Sequence, residues 1–237
     1  MTAFALKLIA IIAMLFDHSS FLFYGRYFSW MRCVGRIAFP IFAFQICQGF
    51  LHTKNLKKYY LRLIIFALIS EIPYAWFTYT FLNKISINII FTLIVGLLCI
   101  NIFDYFKTIS KDKNKIMQSY YFTISLLLVF CISIIAEKLK FDYGYYGILL
   151  IFFFYLFNNN KILMNLSTIL LTLIFFTPRL IESNFHIYYI YLLICTLIPL
   201  VFINLYNGKK GKDFKWMFYI FYPLHLTLIC ILYYLKI

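Results

Sequence analysis

Charged residues are scarce in this chain, and acidic residues are the scarcest of them. Only 13% of the 237 residues are charged, with eight Asp and Glu against 22 Lys and Arg, whereas 64% are hydrophobic and 22% aromatic. Soluble domains carry about 25% charged and about 45–50% apolar residues. The composition therefore excludes an ordinary soluble domain and predicts an integral membrane protein.

Patterns typical of metal sites and disulfide frameworks are missing as well. The six cysteines form no C-x-x-C pair and no His/Cys cluster with the spacing of zinc ligands. Five lie within apolar stretches, where a free thiol behaves as a small hydrophobe. We therefore expect no metal and no structural disulfide, and only Cys33, near a loop, stays open as a thiol nucleophile.

Long polar regions and internal repeats are also lacking, and apolar segments fill the chain. A membrane-spanning helix needs about 20 residues. Nine segments approach or reach that length, namely 5–24, 34–51, 61–81, 87–106, 120–136, 143–157, 162–177, 187–206 and 217–235. The pattern predicts an all-α polytopic membrane protein, with about nine transmembrane helices in one bundle and a single domain over residues 1–237. Asp17 and His18 interrupt the first segment, so we expect a retained helix rather than a signal peptide.

The net charge of +14 comes mainly from three short loops, which follow the second, fourth and eighth segments. The basic residues of these loops are Lys54, Lys57, Lys58, Arg62, Lys107, Lys111, Lys113, Lys115, Lys209, Lys210, Lys212 and Lys215. Basic loops of membrane proteins stay in the cytoplasm. The sequence thus predicts a cytoplasmic N-terminus and no nucleic-acid partner, since no single basic surface is formed.

Ionisable residues within the apolar segments are the features that indicate function. Asp17, His18, Arg36, Glu71 and His225 all fall in the middle or outer half of the predicted bilayer. Such groups cost several kcal/mol unless they are paired or hydrated, and they commonly mark functional sites. Taken singly, Arg36 is also explained by contact with outer headgroups, Glu71 by protonation or by pairing with Arg36, and His225 by packing. Their concentration on separate helices favours a site.

Helical geometry limits how these residues cooperate. Adjacent side chains project about 100° apart, so we expect Asp17 and His18 to face different partners. Tyr222 and His225 are one turn apart and share a face. Prolines near the polar residues predict broken helices around a cavity; these are Pro40, Pro73 and Pro223.

Three stretches of the N-terminal third carry a family resemblance. They are L-K-L-I-A-I-I-A-M-L-F-D-H, M-R-C-V-G-R-I-A-F-P-I-F-A-F-Q-I-C-Q-G-F and H-T-K-N-L-K-K-Y-Y-L-R-L-I-I-F-A-L-I-S-E-I-P-Y. Their order and spacing resemble the TraX family of conjugal-transfer membrane proteins, as do N-I-I-F-T-L at Asn88 and D-Y-G-Y-Y-G at Asp142. The founding member is associated with N-terminal acetylation of F-plasmid pilin. The family is distantly similar to multi-span acyltransferases, whose late Y-x-x-H motif resembles F-Y-P-L-H-L.

The resemblance implies acetyl transfer in a bacterial cytoplasmic membrane, with acetyl-CoA as a co-substrate and no permanently bound cofactor. A neutral histidine can remove a proton from an attacking amine or hydroxyl, and His18 is the expected base, with His225 as the alternative. Arg36 is expected to bind an anionic group or to stabilise the thioester oxyanion, with Asn88 as a further hydrogen-bond donor to it. Asp17 and Glu71 are expected to hold the acceptor ammonium or to orient polar partners. The expected acceptor-binding residues are Glu71, Asn88, Asp142, Tyr222 and His225.

The sequence leaves alternatives open for the donor-binding residues and for the acceptor. Lys57, Lys58 and Arg62 are expected to meet the phosphates of acetyl-CoA, although the cytoplasmic topology alone also explains them. A pilin-like peptide N-terminus and an envelope sugar fit equally well as acceptor. A small transporter or flippase and a noncatalytic subunit of a secretion apparatus are the alternatives from other classes, and the oligomeric state is left open. The inverted repeat that would favour a transporter is not seen.

Overall fold

The computed structural model describes residues 1–23, 29–84, 86–212 and 215–236, so the predicted end of the first segment at residue 24 lies outside the described residues. Eleven helices occur within these ranges: α1 (Ala3–Ser19), α2 (Ser29–Gly35), α3 (Ala38–His52), α4 (Leu56–Leu82), α5 (Ile89–Ser110), α6 (Lys115–Lys138), α7 (Gly144–Leu156), α8 (Lys161–Glu182), α9 (Ile187–Leu197), α10 (Pro199–Asn204) and α11 (Lys215–Tyr234). Six helical stretches there are long and apolar enough to cross a membrane. The all-α polytopic class is confirmed.

Each predicted apolar segment contains a helix, but two segments are divided. The second consists of α2 and α3, with a turn at Arg36 and Ile37 between them. The eighth consists of α9 and α10, which meet at Ile198, directly before a proline. A proline at the first helical position starts a helix well but cannot continue the preceding one. The first of these breaks lies at the site described below.

Two of the three prolines predicted to break helices do not do so. Helix α4 continues through Pro73 and α11 continues through Pro223, because one lost hydrogen bond does not end a helix whose neighbouring turns are held by packing in an apolar bundle. The prediction was therefore wrong at these two positions. Pro40 lies in the first turn of α3, directly after the break at Arg36 and Ile37, and the backbone N–H that it lacks is the one that would continue the helix across that break.

Asparagines start four of the long helices. The side-chain Oδ1 atoms of Asn55, Asn88, Asn114 and Asn160 accept hydrogen bonds of 2.9–3.0 Å from backbone N–H groups in the first turns of α4, α5, α6 and α8. Asparagine is a strong N-cap because it satisfies a donor that the helix itself leaves free. These caps fix where the spans begin, and Asn88 is the one closest to the site.

Helix α7 lies at the centre of the bundle although it is only 13 residues long. Tyr146, Ile151 and Phe154 are fully buried, and α7 packs against α3, α5, α6 and α8. Two glycines permit this approach: a Cβ at Gly96 would collide with Ile151, and a Cβ at Gly147 would lie 2.7 Å from Thr92 Cγ2. Small residues commonly let membrane helices approach closely. The central position of α7 anchors the loop that precedes it.

The loops gather at two ends of the bundle, which we call the basic end and the distal end. At the basic end, which carries residues 53–55, 111–114 and 205–212, the N-terminal chain pairs with the last of these loops through Ala3 N–H to Lys209 O (2.9 Å) and Phe4 N–H to Lys210 O (3.0 Å). At the distal end, Ile87 N–H donates to Lys140 O and Asp142 N–H donates to Ile87 O, which joins loop 83–88 to loop 139–143.

Reporter fusions test which end faces the cytoplasm. A fusion after Lys113, at the basic end, should read cytoplasmic, and one after Lys140, at the distal end, should read external, because basic loops are retained inside. A paired alkaline phosphatase and green fluorescent protein assay distinguishes the two locations. The opposite pair of readings would place the site described below on the cytoplasmic side.

Candidate active site

Two histidines from the first and last helices meet in the distal half of the bundle. His18 Nδ1 and His225 Nε2 lie 2.7 Å apart, and the two rings meet edge to edge with an angle of 19° between their planes. His225 Nδ1 lies 2.8 Å from the carbonyl oxygen of Phe221, one turn earlier in α11. The contacts form a chain from a backbone carbonyl through His225 to His18.

This chain of contacts assigns the protons of the neutral histidine pair. The Phe221 carbonyl can only accept, so His225 Nδ1 carries a proton and His225 Nε2 does not. His225 Nε2 then accepts from Nδ1–H of His18. The remaining ring nitrogen, Nε2 of His18, carries no proton and has no hydrogen-bond partner among the described residues. The pair as packed therefore holds His18 in the tautomer of a general base.

Asp17 faces a different set of partners, as the helical geometry predicts. Its Oδ2 accepts from Arg36 Nη2 at 2.7 Å, and its Oδ1 lies 3.4 Å from Arg32 Nε. Arg36 Nη1 donates to the hydroxyl of Tyr143 at 3.0 Å. The three side chains of the ion-pair cluster are largely buried, with 13% of Asp17, 25% of Arg32 and 19% of Arg36 exposed. One carboxylate therefore balances two guanidinium groups.

A glycine at the end of α2 makes room for this cluster. A Cβ built on Gly35 would collide with Cβ and Cγ of Asp17, and it would lie 2.7 Å from Asp17 Oδ1. Helices α1 and α2 are therefore in contact at the residue that binds both arginines. The position requires the absence of a side chain rather than a special backbone angle.

Gly35→Ala should displace Asp17 and weaken its ion pairs, because a methyl group cannot occupy the space of a carboxylate-bearing side chain. We expect a fall in thermal stability equivalent to about 1–3 kcal/mol, the usual range for overpacking, measured on detergent-solubilised protein by fluorescence-detected size exclusion. Ser119→Ala, at an exposed position of α6, is the control. Equal stability of the two variants would contradict the close contact at Gly35.

Glu71 pairs with Asn88 and not with Arg36, so the ion pair with Arg36, one of the two alternatives left open for Glu71, is not formed. Glu71 Oε2 accepts from the Asn88 backbone N–H at 3.2 Å and from Asn88 Nδ2 at 2.5 Å. Asn88 Nδ2 also donates to Ala67 O at 2.8 Å. Arg36 is already bound by Asp17, whereas Glu71 lies beside Asn88, the N-cap residue of α5.

Asn88 is occupied by contacts within the protein. Both hydrogens of its amide are used by Ala67 and Glu71, its Oδ1 caps α5, and the residue is fully buried. Asn88 and Glu71 are outside the lining of the cavity that contains His18, so the structure does not bring these two expected acceptor-binding residues to it. Together they fix the junction of α4 and α5.

A cavity of about 180 Å³ lies between α1, α2, α3, α4, α11 and the loop before α7, and it contains the chemically important groups. Its lining includes Asp17, His18, Arg36, Asp142 and Tyr222. His225 is 4% exposed and is not part of that lining. His18 thus faces the cavity, and His225 supports it from behind.

Asp142 lies in the loop before α7, at the mouth of the cavity. Its backbone oxygen accepts from Thr92 Oγ1 at 2.6 Å. Burial raises the pKa of the Asp142 carboxyl, whereas the positive charges of Lys84 and Arg36 act in the opposite direction. Asp142 and Tyr222 were both expected at the site, and the structure brings them to the same cavity as His18.

The residues expected to bind the donor phosphates lie elsewhere. Lys57, Lys58 and Arg62 occupy the first two turns of α4, at the basic end, and Lys57 and Lys58 are exposed. Tyr74, which lines the cavity, follows 17 residues after Lys57 in the same helix, a distance of about 26 Å at 1.5 Å per residue. The structure does not bring these cations and the cavity together.

Two residues of the site were not predicted. Arg32 follows the same helical face as Arg36, four residues earlier, so the spacing in M-R-C-V-G-R was a usable signal. Tyr143 lies next to Asp142 in D-Y-G-Y-Y-G, adopts φ +60°, and stacks on Phe39 with ring centroids 4.0 Å apart. No sequence pattern indicated that its hydroxyl would bind Arg36.

The cysteines and the metal-ligating residues add no further centre. The Cys33 thiol lies beside the Cys195 thiol, both are free, and neither lines the cavity. Within the described ranges, no group of three His, Cys, Asp or Glu residues is placed to hold a metal ion.

Comparison with known proteins identifies the family. The probable fimbrial assembly protein FimC, serogroup H1, of Dichelobacter nodosus is 28% identical over 246 residues, which cover 97% of this chain and 94% of that protein. No solved structure matches the chain. A family model described as TraX protein matches residues 3–233. The resemblance seen in the N-terminal third is thereby confirmed and extends through the last helix: the chain belongs to the TraX family.

Proposed function

We propose that this protein is a membrane-embedded acetyltransferase that moves an acetyl group from acetyl-CoA to an amine or hydroxyl acceptor. The observation that carries the proposal is the tautomer of His18, whose Nε2 lone pair is left free by the chain through His225 to Phe221 O and whose side chain lines the cavity. Membership of the TraX family, whose founding member is linked to pilin acetylation, agrees with this chemistry.

The reaction can be written with the residues of the cavity. His18 Nε2 removes the proton from the acceptor N–H or O–H as the acceptor atom bonds to the thioester carbonyl carbon. When the carbonyl re-forms, the C–S bond breaks, and the protonated His18 returns its proton to the departing thiolate. The products are the acetylated acceptor and free coenzyme A, and His18 ends in its starting state.

Arg36 is the group suited to the negative charge that develops on the carbonyl oxygen. Its Nη1 and Nη2 atoms are held by Tyr143 and Asp17. Its Nε is buried and has no hydrogen-bond acceptor among the described residues. A guanidinium N–H that is held in place without a partner is preorganised to donate to an oxyanion. Stabilisation of the oxyanion by such donors is usually the largest rate effect in acyl transfer.

The donor is proposed to come from the cytosol, at the basic end. Lys57, Lys58 and Arg62 lie about 26 Å along α4 from Tyr74 of the cavity, so they are proposed to attract the phosphates of an arriving donor and not to hold them while its acetyl group is at His18. This places the protein in the cytoplasmic membrane, with the donor supplied from the cytosol and the acceptor from the opposite side. Membrane lipid surrounds the bundle at exposed apolar positions of α4, α6 and α8.

Purified protein in lipid nanodiscs tests the proposed activity directly. Incubation with acetyl-labelled acetyl-CoA should release free coenzyme A in the wild-type protein, and mass spectrometry of added peptides and glycans should locate the acetyl group. Substrate movement across a vesicle membrane without thioester turnover would instead indicate a transporter. A third outcome would indicate a noncatalytic assembly subunit: neither thioester turnover nor substrate movement is detected, and deletion of the gene impairs the assembly of surface appendages.

A further inference from the structure

A second, larger cavity of about 1,000 Å³ opens beside the one that contains His18, and we call it the vestibule. Arg32, Arg36, Lys84, Asp142 and Tyr143 line both cavities. No layer of protein therefore lies between a molecule in the vestibule and the ion-pair cluster, and the two can be in direct contact. The volume is at the upper end of the roughly 300–1,000 Å³ that is typical of small-ligand sites.

The vestibule is rich in positive charge. Five basic and two acidic side chains line it. Three of the basic side chains, Lys84, Lys140 and Arg179, are exposed and have no carboxylate oxygen within 4.0 Å among the described residues. Basic residues are usually depleted on the external side of membrane proteins, so the topology that explains the lysines of the basic end does not explain this cluster.

These cations are held in place by the fold. The loop of Lys84 and the loop of Lys140 are joined by the bridge between Ile87 and Phe141. Arg179 Nη1 donates to Phe175 O at 3.0 Å, and the guanidinium lies over the Phe175 ring at 4.2 Å. Since an arginine carries five N–H donors, most of those on Arg179 remain available to a ligand.

Aromatic side chains complete the walls of the vestibule. Tyr79 is 68% exposed, and Tyr188 and Tyr189 pack edge to face with ring centroids 5.4 Å apart. Tyrosine offers a flat apolar face together with a hydroxyl, a combination suited to ligands that are apolar on one face and polar at the edges. A sugar ring has this character, whereas an extended peptide would require free backbone partners.

The charges also discriminate between the two classes of acceptor group. An α-amino group has a pKa of about 7.7–8.0 and is mostly a cation at neutral pH, so the positive lining disfavours its approach to His18. A hydroxyl is neutral, and its attack requires the general base that the histidine pair supplies. On the basis of the proposed acetyl transfer, we propose that the vestibule binds an anionic saccharide, one that carries carboxylate or phosphate groups and presents a hydroxyl to His18.

Binding of defined oligosaccharides tests this without any turnover. Trigalacturonic acid should bind wild-type protein in nanodiscs, with an affinity that falls as salt is raised because salt screens exposed charges. Maltotriose, a neutral trisaccharide, should bind at least about tenfold more weakly, as expected when charge-assisted hydrogen bonds are lost. Equal affinity of the two sugars, no binding of either, or tighter binding of an oligoaspartate peptide would each overturn the proposal.

Two matched triple variants locate the binding surface. The first variant should weaken the binding of trigalacturonic acid by about tenfold or more; it combines Lys84→Gln, Lys140→Gln and Arg179→Gln. Lys111→Gln with Lys113→Gln and Lys115→Gln removes the same charge at the basic end and should leave binding unchanged. If trigalacturonic acid binds in this pattern but no acetyl transfer is found, the proposed activity fails while the anion site stands. If acetyl transfer occurs without binding, the anion site fails alone.

Discussion

His18→Ala is expected to lower acetyl transfer by about 10²-fold or more while the protein stays folded and inserted. The expected size follows from the usual contribution of a positioned general base, which is about 10²–10⁴-fold. The side chain lines a cavity and leaves space rather than an unpaired charge when it is removed. The measurement is the initial rate of coenzyme A release in nanodiscs, with size-exclusion behaviour as the check on folding.

The pH dependence of the wild-type rate gives a second readout of the same assignment. Only neutral imidazole accepts a proton, so the rate should fall as the pH is lowered through the pKa of the histidine pair and should level off above it. Sodium acetate and chloride controls at constant ionic strength separate this effect from screening of the distal cations. A pH profile that is unchanged in His18→Ala protein would exclude His18 as the base.

His225 separates a positioning role from a catalytic one. His225→Leu leaves Nδ1 of His18 without an acceptor and should reduce the rate, because the reactive tautomer is then no longer fixed. His225→Gln keeps an oxygen that can accept from the same N–H and should recover part of the lost rate. If His225 were itself the base, Gln and Leu would be equally inactive and His18→Ala would retain activity.

The pairing of these histidines shows what the sequence could and could not predict. Both residues were recognised because ionisable groups in apolar segments are costly. Their contact joins positions 207 residues apart, and no periodicity within one helix contains that information. The family resemblance located the general region, but which histidine faces the cavity depends on how α1 packs against α11.

The same limit applies to the partner of Arg36. The approximate depth of Glu71 and Arg36 in the membrane made an ion pair plausible, whereas the true partner, Asp17, lies on a helix brought close by Gly35. Depth can be read from hydropathy, since it depends only on position along a span. Azimuth around the bundle depends on the packing of many side chains, and the broken segment at Arg36 further changes the direction of its side chain.

The ion-pair cluster has one carboxylate between two guanidinium groups, so removing the carboxylate and removing a guanidinium group have different costs. Asp17→Asn leaves two guanidinium groups, Arg32 and Arg36, close together with no carboxylate between them. Arg36→Gln leaves Asp17 with Arg32 as a remaining partner at 3.4 Å. We therefore expect Asp17→Asn to lose more stability, up to the roughly 3–5 kcal/mol found when a buried pair loses one member, and to have a smaller effect on the rate than His18→Ala.

A double-mutant cycle turns this asymmetry into a test of the ion-pair cluster. Unfolding in mixed detergent micelles should show Asp17→Asn and Arg36→Gln to be non-additive by about 1–3 kcal/mol, since residues in one network share their interaction energy. The control pair is Glu71→Gln with Arg36→Gln, which should be additive because Glu71 is bound by Asn88 rather than by Arg36. Coupling of Glu71 with Arg36, together with additivity of Asp17 with Arg36, would show that Arg36 turns toward α4 in the membrane and would remove it from the cavity that contains His18.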